Sequence, residues 1–157
     1  MTMEKSMPFA TMGVLVVDDS RDVHNQLKVF LRAGGVENLH FADSVAAAYE
    51  MLGLTPEGTP NRAIDLILMD INMAETDGIA ATRAIKSVAA FYDVPVLMIT
   101  GDTSKESLMA AFEAGAVDYI TKPLNKVELV ARVRSFLKLK AEILSANRKR
   151  TTSAHQN

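Results

Sequence analysis

The strongest constraint on this chain is a set of three short apolar runs, Val14–Val17, Leu66–Met69 and Val94–Ile99, none interrupted by a charged or hydrogen-bonding side chain. Such runs are short for core helices and lack the alternation of a strand with one wet face. They suit strands covered on both faces, as in a parallel sheet. Two weaker segments, Glu37–Ala42 and Val117–Thr121, read as strands nearer the sheet edges. Between these segments the apolar period changes to that of a helix. Val23, Leu27, Phe30 and Leu31 fall at i, i+4, i+7 and i+8, and Ala33–Gly35 supplies a stop. "SVAAAYEMLG" after Asp43, "GIAATRAIKSVAAF" after Asp77 and "SKESLMAAFEAG" after Thr103 repeat the pattern, each opening near a capping residue or glycine. A fifth helix is expected from near Asn125, and no Pro or Gly follows it. Alternating strands and helices of this kind predict βα units around a five-stranded parallel sheet, an α/β fold. The Gly- and Pro-rich "LGLTPEGTPNR" reads as an exposed loop, longer than most of its kind.

At 157 residues and 48% hydrophobic, the chain suits one domain with a core that needs no staples. Seventeen basic and 19 acidic side chains leave a formal charge of −2, so overall charge nominates neither nucleic acid nor membrane as a partner. The lack of cysteine excludes a disulfide framework and thiolate metal sites. The N-terminal "MTMEKSMPFATMG" has no apolar run of signal-peptide length, and no segment approaches the roughly 20 apolar residues of a membrane span. A soluble, cytoplasmic protein is expected.

In an open parallel sheet, ligands bind outside the carboxyl ends of the strands. The first strand delivers Asp18 and Asp19 there, and the third delivers Asp70. The fourth adds Thr100 and Gly101, and the fifth leads into Lys122 and Pro123. Each has an ordinary explanation alone. "DDS" is a common N-cap, Thr-Gly a common turn, and a lysine before proline a common solvated charge. Coincidence is a poor account of all of them meeting at one edge.

Two unit charges about 4 Å apart repel by about 4 kcal/mol at an effective dielectric near 20. Clustered carboxylates therefore shift their pKa upward unless a cation sits among them. An all-oxygen, partly hydrated site suits Mg²⁺, and also Mn²⁺. Lys122 adds a fixed positive charge. A phosphoryl group entering here would meet metal, ammonium, hydroxyl and backbone N–H groups, and one acid would be its nucleophile.

At these residues the chain resembles the receiver domain of bacterial two-component response regulators. "VLVVDDS", "LILMDINMAETDG", "VLMITG" and "DYITKP" fall in that family's order and spacing, over roughly Gly13 to Leu139. The resemblance implies a doubly wound (βα)5 flavodoxin-like three-layer sandwich with strand order 2-1-3-4-5. It further implies that Asp70 is the phosphoacceptor. Asp19, Asp70 and the backbone carbonyl of Asn72 would hold Mg²⁺, with Asp18 supporting it through water. Thr100 and Lys122 would grip the phosphoryl oxygens, and Tyr119 would be an aromatic switch. On residue type alone, Tyr119 fits a locally packed edge aromatic equally well. A cis Lys122–Pro123 peptide is implied, as is an output face built from the fifth strand and the last two helices. The implied partner is a sensor histidine kinase or histidine phosphotransfer protein, and the role is signal transmission rather than enzymatic turnover.

Some features depart from the family or extend beyond it. Ala74 stands where the family usually has proline. Asp102 puts another acid near the pocket, or caps a helix with Thr103 and Ser104. The last helix, from Asn125 to Arg150, exceeds what a receiver needs to cover its sheet. Phe136, Leu139, Ile143 and Ala146 mark either a frayed amphipathic end or a two-heptad homodimer stalk. Arg148–Arg150 reads as a helix-end charge run, and "TTSAHQN" as a disordered tail. The expected organisation is a flexible extension over 1–12, a receiver over 13–139, and over 140–157 a helical extension and tail, a candidate linker to an output domain. His24, His40 and His155 match no metal or phosphotransfer spacing and are expected in surface or packing roles. Phosphatases of the haloacid dehalogenase-like class use similar groups, but place an Asp-x-Asp nucleophile on the first strand and paired acids late, the reverse of the order here.

Overall fold

The computed structural model describes residues 8–73 and 77–156, with side chains in the last helix described as far as residue 146. Five strands, β1 (Gly13–Val17), β2 (Leu39–Ala42), β3 (Ile64–Asp70), β4 (Val96–Thr100) and β5 (Asp118–Thr121), form one parallel sheet. Its order is β2-β1-β3-β4-β5, so the two segments with the weakest apolar signal are the edges. Five α-helices complete the fold: α1 (Arg21–Ala33), α2 (Val45–Leu52), α3 (Gly78–Lys86), α4 (Lys105–Ala114) and α5 (Lys126–Gln156).

Alternate residues of each central strand serve opposite faces. Leu15, Val17, Ile67, Met69, Val96 and Met98 join one core with Ala48 and Leu52 of α2, Ile85 of α3 and Ala111 of α4. Val14, Val16, Leu66, Leu68, Leu97 and Ile99 join the other with Leu27 and Leu31 of α1 and Leu129, Val133 and Leu137 of α5. This double coverage is why the runs lack polar alternation, and it makes the molecule the three-layer sandwich expected.

Several boundaries differ from the sequence expectation. The fourth strand begins at Val96 rather than Val94 and includes Thr100. The third helix stops at Lys86 instead of running to Phe91. The Ser87 hydroxyl donates back to Ala84 O at 2.6 Å, and the Lys86 ammonium donates to the carbonyls of Phe91, Tyr92 and Val94 at 2.8, 2.9 and 2.7 Å, turning the chain into a 3-10 turn. Within the segment expected as a flexible extension, Phe9 and Met12 are buried in the α1/α5 core, with the Arg134 guanidinium 5.0 Å from the Phe9 ring centre. Residues 1–7 of that extension, and Ala74, lie outside the described residues.

The last helix continues into the segment expected as a tail. It has 31 residues, through Gln156, and spans about 46 Å at 1.5 Å per residue. Asn125 starts it by accepting the Glu128 N–H at 3.0 Å, and no Pro or Gly interrupts the backbone ladder afterwards. Lys140 anchors it to the sheet, its buried ammonium 3.2 Å from Asp65, whose other carboxylate oxygen accepts the Gly13 N–H at 2.9 Å. Among the described residues no helix is long and apolar enough to cross a membrane.

Candidate functional site

The carboxyl edge of the sheet gathers the side chains that its strand ends deliver. Asp18, directly after β1, is buried, whereas Asp19 is exposed. One Asp18 oxygen accepts the Ser20 N–H at 2.8 Å, and Ser20 in turn caps α1 by accepting the Val23 N–H at 3.3 Å. Asp70 is the last residue of β3 and is 4% exposed. One carboxylate oxygen from each of Asp18, Asp19 and Asp70 lies within 4.8 Å of the others. Lys122, just past β5, reaches across β4 and β3 to bring Nζ 3.2 Å from Asp18 Oδ2 and 3.6 Å from Asp70 Oδ1. The Lys122–Pro123 peptide is cis, as the family resemblance implied.

This crowding perturbs Asp70. Burial, followed by the charge of Asp18, pushes its pKa up to about 6 from 3.8, with a smaller contribution from Asp19. Lys122 and the Asn72 N–H, 3.3 Å from Asp70 Oδ1, pull the other way without cancelling the rise. Lys122, shared between Asp18 and Asp70, does not balance both of these buried carboxylates. The all-oxygen donor set has the chemistry to hold a hard divalent cation.

Thr100 is buried at the end of β4, with its hydroxyl engaged locally. It accepts the Asp102 N–H at 2.8 Å and donates to the Asp102 carbonyl at 3.1 Å. Tyr119 is half-buried on β5, with its ring edge-on to Phe112 at 6.1 Å between centres. The Asp102 carboxylate is tied to the start of α4, accepting from the Ser104 N–H at 2.8 Å and the Ser107 hydroxyl at 2.7 Å. The cap of α4 is Ser104, which accepts the Ser107 N–H at 3.3 Å; Asp102 supports that cap from two residues ahead, and its bonds hold its pKa below the usual carboxylate range. Asn72 forms an isolated bridge with Asp77 across the loop that follows Asp70.

Two supporting residues act through their contacts rather than through a polar group aimed at the site. Gly78, which the sequence offers as a hinge into the third helix, is required by close approach: a Cβ there would collide with the Asp70 carbonyl oxygen. Thr82 is buried one turn later, its hydroxyl donating back to Gly78 O at 2.8 Å within α3 and lying 3.5 Å from the Met98 sulfur of β4. A glycine at a helix start and a threonine four residues on are common in any helix, so only the contacts reveal their part. His24, expected to pack or face solvent, bonds to the Asp18 carbonyl.

A family model described as the response regulator receiver domain matches residues 14–134. The chain belongs to that family. The transcriptional regulatory protein PrrA of Mycobacterium tuberculosis is 39% identical over 125 residues, 80% of this chain and 49% of PrrA. The phosphate regulon transcriptional regulatory protein PhoB of Pseudomonas aeruginosa is 33% identical over 125 residues, 80% of this chain and 51% of PhoB. The solved structure of chemotaxis protein CheY4 from Vibrio cholerae matches with a TM-score of 0.70 at 25% identity, covering 80% of this chain and 98% of that one. The chain thus spans about half the length of the curated relatives it matches. The receiver match ends inside α5, at residue 134.

Proposed function

We propose that this receiver domain takes a phosphoryl group onto Asp70 from a phosphohistidine of a sensor kinase or histidine phosphotransfer protein. The observation that carries this reading is the single cluster of Asp18, Asp19 and Asp70 with Lys122 laid between two of them. Asp70 has the chemistry of the acceptor. With its pKa at about 6 it is mostly ionised at neutral pH. A carboxylate oxygen forms a bond to phosphorus as the phosphorus–nitrogen bond to the donor imidazole breaks and the bonding pair leaves with that nitrogen. Asp19, Asp70 and the Asn72 carbonyl, with Asp18 behind them, would hold Mg²⁺ or Mn²⁺. When bound, the ion supplies charge neutralisation for the incoming phosphoryl oxygens.

Lys122, already between Asp18 and Asp70, pairs with a phosphoryl oxygen. Thr100 exchanges its bonds to Asp102 for another. Tyr119, packed on Phe112, follows the space that Thr100 vacates and alters the β5–α4–α5 face. Inverting such an equilibrium from 1:99 to 99:1 requires about 5.5 kcal/mol of preference for the active form, within reach of a few charge-assisted hydrogen bonds. The working unit is the receiver over 13–139 in the cytoplasm. From residue 140 onward α5 serves as a connection to an output domain, and its Phe136, Leu139, Ile143 and Ala146 face as a homodimer contact, supported by the exposure of Leu139 and Ala146.

Intact mass after treatment with acetyl phosphate and Mg²⁺ tests this. Wild type gains one phosphoryl group, and Asp70→Asn gains none. Equal labelling of the two refutes the assignment.

A further inference from the structure

We infer that His24 is a positioning residue for the acidic cluster, holding the peptide that joins Asp18 to Asp19 and so setting the direction in which Asp19 offers its carboxylate to a divalent cation. The inference rests on the reading of Asp18, Asp19 and Asp70 as the cation site.

His24 Nε2 lies 2.6 Å from the Asp18 carbonyl oxygen. A carbonyl can only accept, so the imidazole donates and its hydrogen is on Nε2. Packing holds the ring for this bond: it lies 5.1 Å from Phe41, centre to centre, at 42° between planes. Lys28, one turn further along α1, places its ammonium 5.7 Å from the centre of the same Phe41 ring. The remaining polar groups of Asp18 also have partners. Its N–H donates to Ala42 O at 3.1 Å, Oδ1 accepts from Ser20 at 2.8 Å, and Oδ2 faces Lys122 at 3.2 Å. Asp18 is thus held at every polar atom, and His24 is the contact that acts on the side toward Asp19.

That side matters because the peptide unit is planar. The oxygen gripped by His24 lies in one plane with the Asp19 N–H, so holding it limits rotation on both sides of the peptide and fixes where the Asp19 Cα sits. Asp18 is buried and gains its direction from packing as well, whereas Asp19 is exposed. Outer partners that orient metal-binding groups typically change metal affinity by 10- to 100-fold when lost. A contact acting through the backbone belongs near the lower end.

The test is a Mg²⁺ titration of the full chain, followed by amide NMR shifts, together with metal-free melting curves. His24→Phe keeps a ring against Phe41 and removes the donor, and His24→Gln restores an N–H at similar reach. The expected result is Mg²⁺ binding about tenfold weaker in His24→Phe, with a metal-free melting temperature near wild type. His24→Gln should recover most of the affinity, and saturating Mg²⁺ should return the acetyl phosphate labelling rate of His24→Phe to the wild-type value. Wild-type affinity in His24→Phe overturns the inference, and so does a His24→Gln affinity as weak as that of His24→Phe. A wild-type chain that takes up no Mg²⁺ overturns the cation-site reading itself, a failure visible before any variant is compared.

Discussion

At the carboxyl edge of the sheet three carboxylates crowd one ammonium, whereas at the amino edge Asp65 and Lys140 balance each other at 3.2 Å. The amino-edge pair is closed: Asp65 also accepts the Gly13 N–H at 2.9 Å, so burial there leaves little unsatisfied charge. The carboxyl edge is open. Lys122 is shared between Asp18 and Asp70 without balancing both, and burial with the charge of Asp18 raises the Asp70 pKa. Buried charge therefore does different work at the two ends of one sheet. A balanced pair ties α5 to β3, while the overloaded cluster has the chemistry to hold a cation and, in the function proposed, to take a phosphoryl group.

The contrast yields predictions of decreasing size. Lys140→Met should destabilise the fold by about 3 kcal/mol, because it strands a largely buried Asp65, while Asp70 labelling by acetyl phosphate is retained. Denaturant midpoints and intact mass on the same samples read both quantities. Loss of labelling with no loss of stability would break the division between the two edges.

Asp70→Asn should act in the opposite sense and stabilise the metal-free protein. The folded-state pKa of about 6 exceeds the unfolded value of 3.8, so between those limits the folded chain holds a proton that the unfolded chain has lost. Asp70 thus makes wild-type stability fall as pH rises through that window, by an upper figure of about 3 kcal/mol, and level off above it. Melts of both proteins at about pH 4, near the lower limit of the window, and about pH 8, above it, should show the variant gaining mainly at the higher pH. Added Mg²⁺ should shrink that gain by stabilising wild type alone.

Gly78→Ala should cost about 2 kcal/mol, since the new methyl meets the Asp70 carbonyl and the backbone must move. It should also slow labelling, because the atom displaced belongs to the proposed acceptor residue; a slowed rate without a stability change would locate the effect elsewhere. The smallest effect belongs to Arg132→Ala. Its guanidinium, 42% exposed, pairs with Asp118 at 2.6 Å, and removal should cost under about 1 kcal/mol and less in high salt. A larger, salt-independent loss would show that surface pairing on the β5–α5 side carries weight comparable to Asp65–Lys140.

Much of the fold was legible because burial on both faces removes polar alternation, and Val14–Val17 and Leu66–Met69 show that directly. The site was legible for a related reason: residues ending parallel strands share one edge, so Asp18, Asp70 and Lys122 could be brought together from sequence order. The 3-10 turn after α3 was not, because it depends on Lys86 finding three carbonyls that follow it in the chain. Nor were the burial of Phe9 and Met12, or the anchoring of α5 by Lys140, which depend on partners tens of residues away.

The sequence by itself determined the alternation of strands and helices, the family, and which side chains arrive at the carboxyl edge, since these follow from local periodicity and chain order. Only the tertiary structure decided that Asp70 is buried among charges, that Gly78 must lack a side chain, and that His24 grips the peptide between Asp18 and Asp19. Those are matters of distance between segments, and electrostatic and steric energies depend on ångströms that no local pattern encodes.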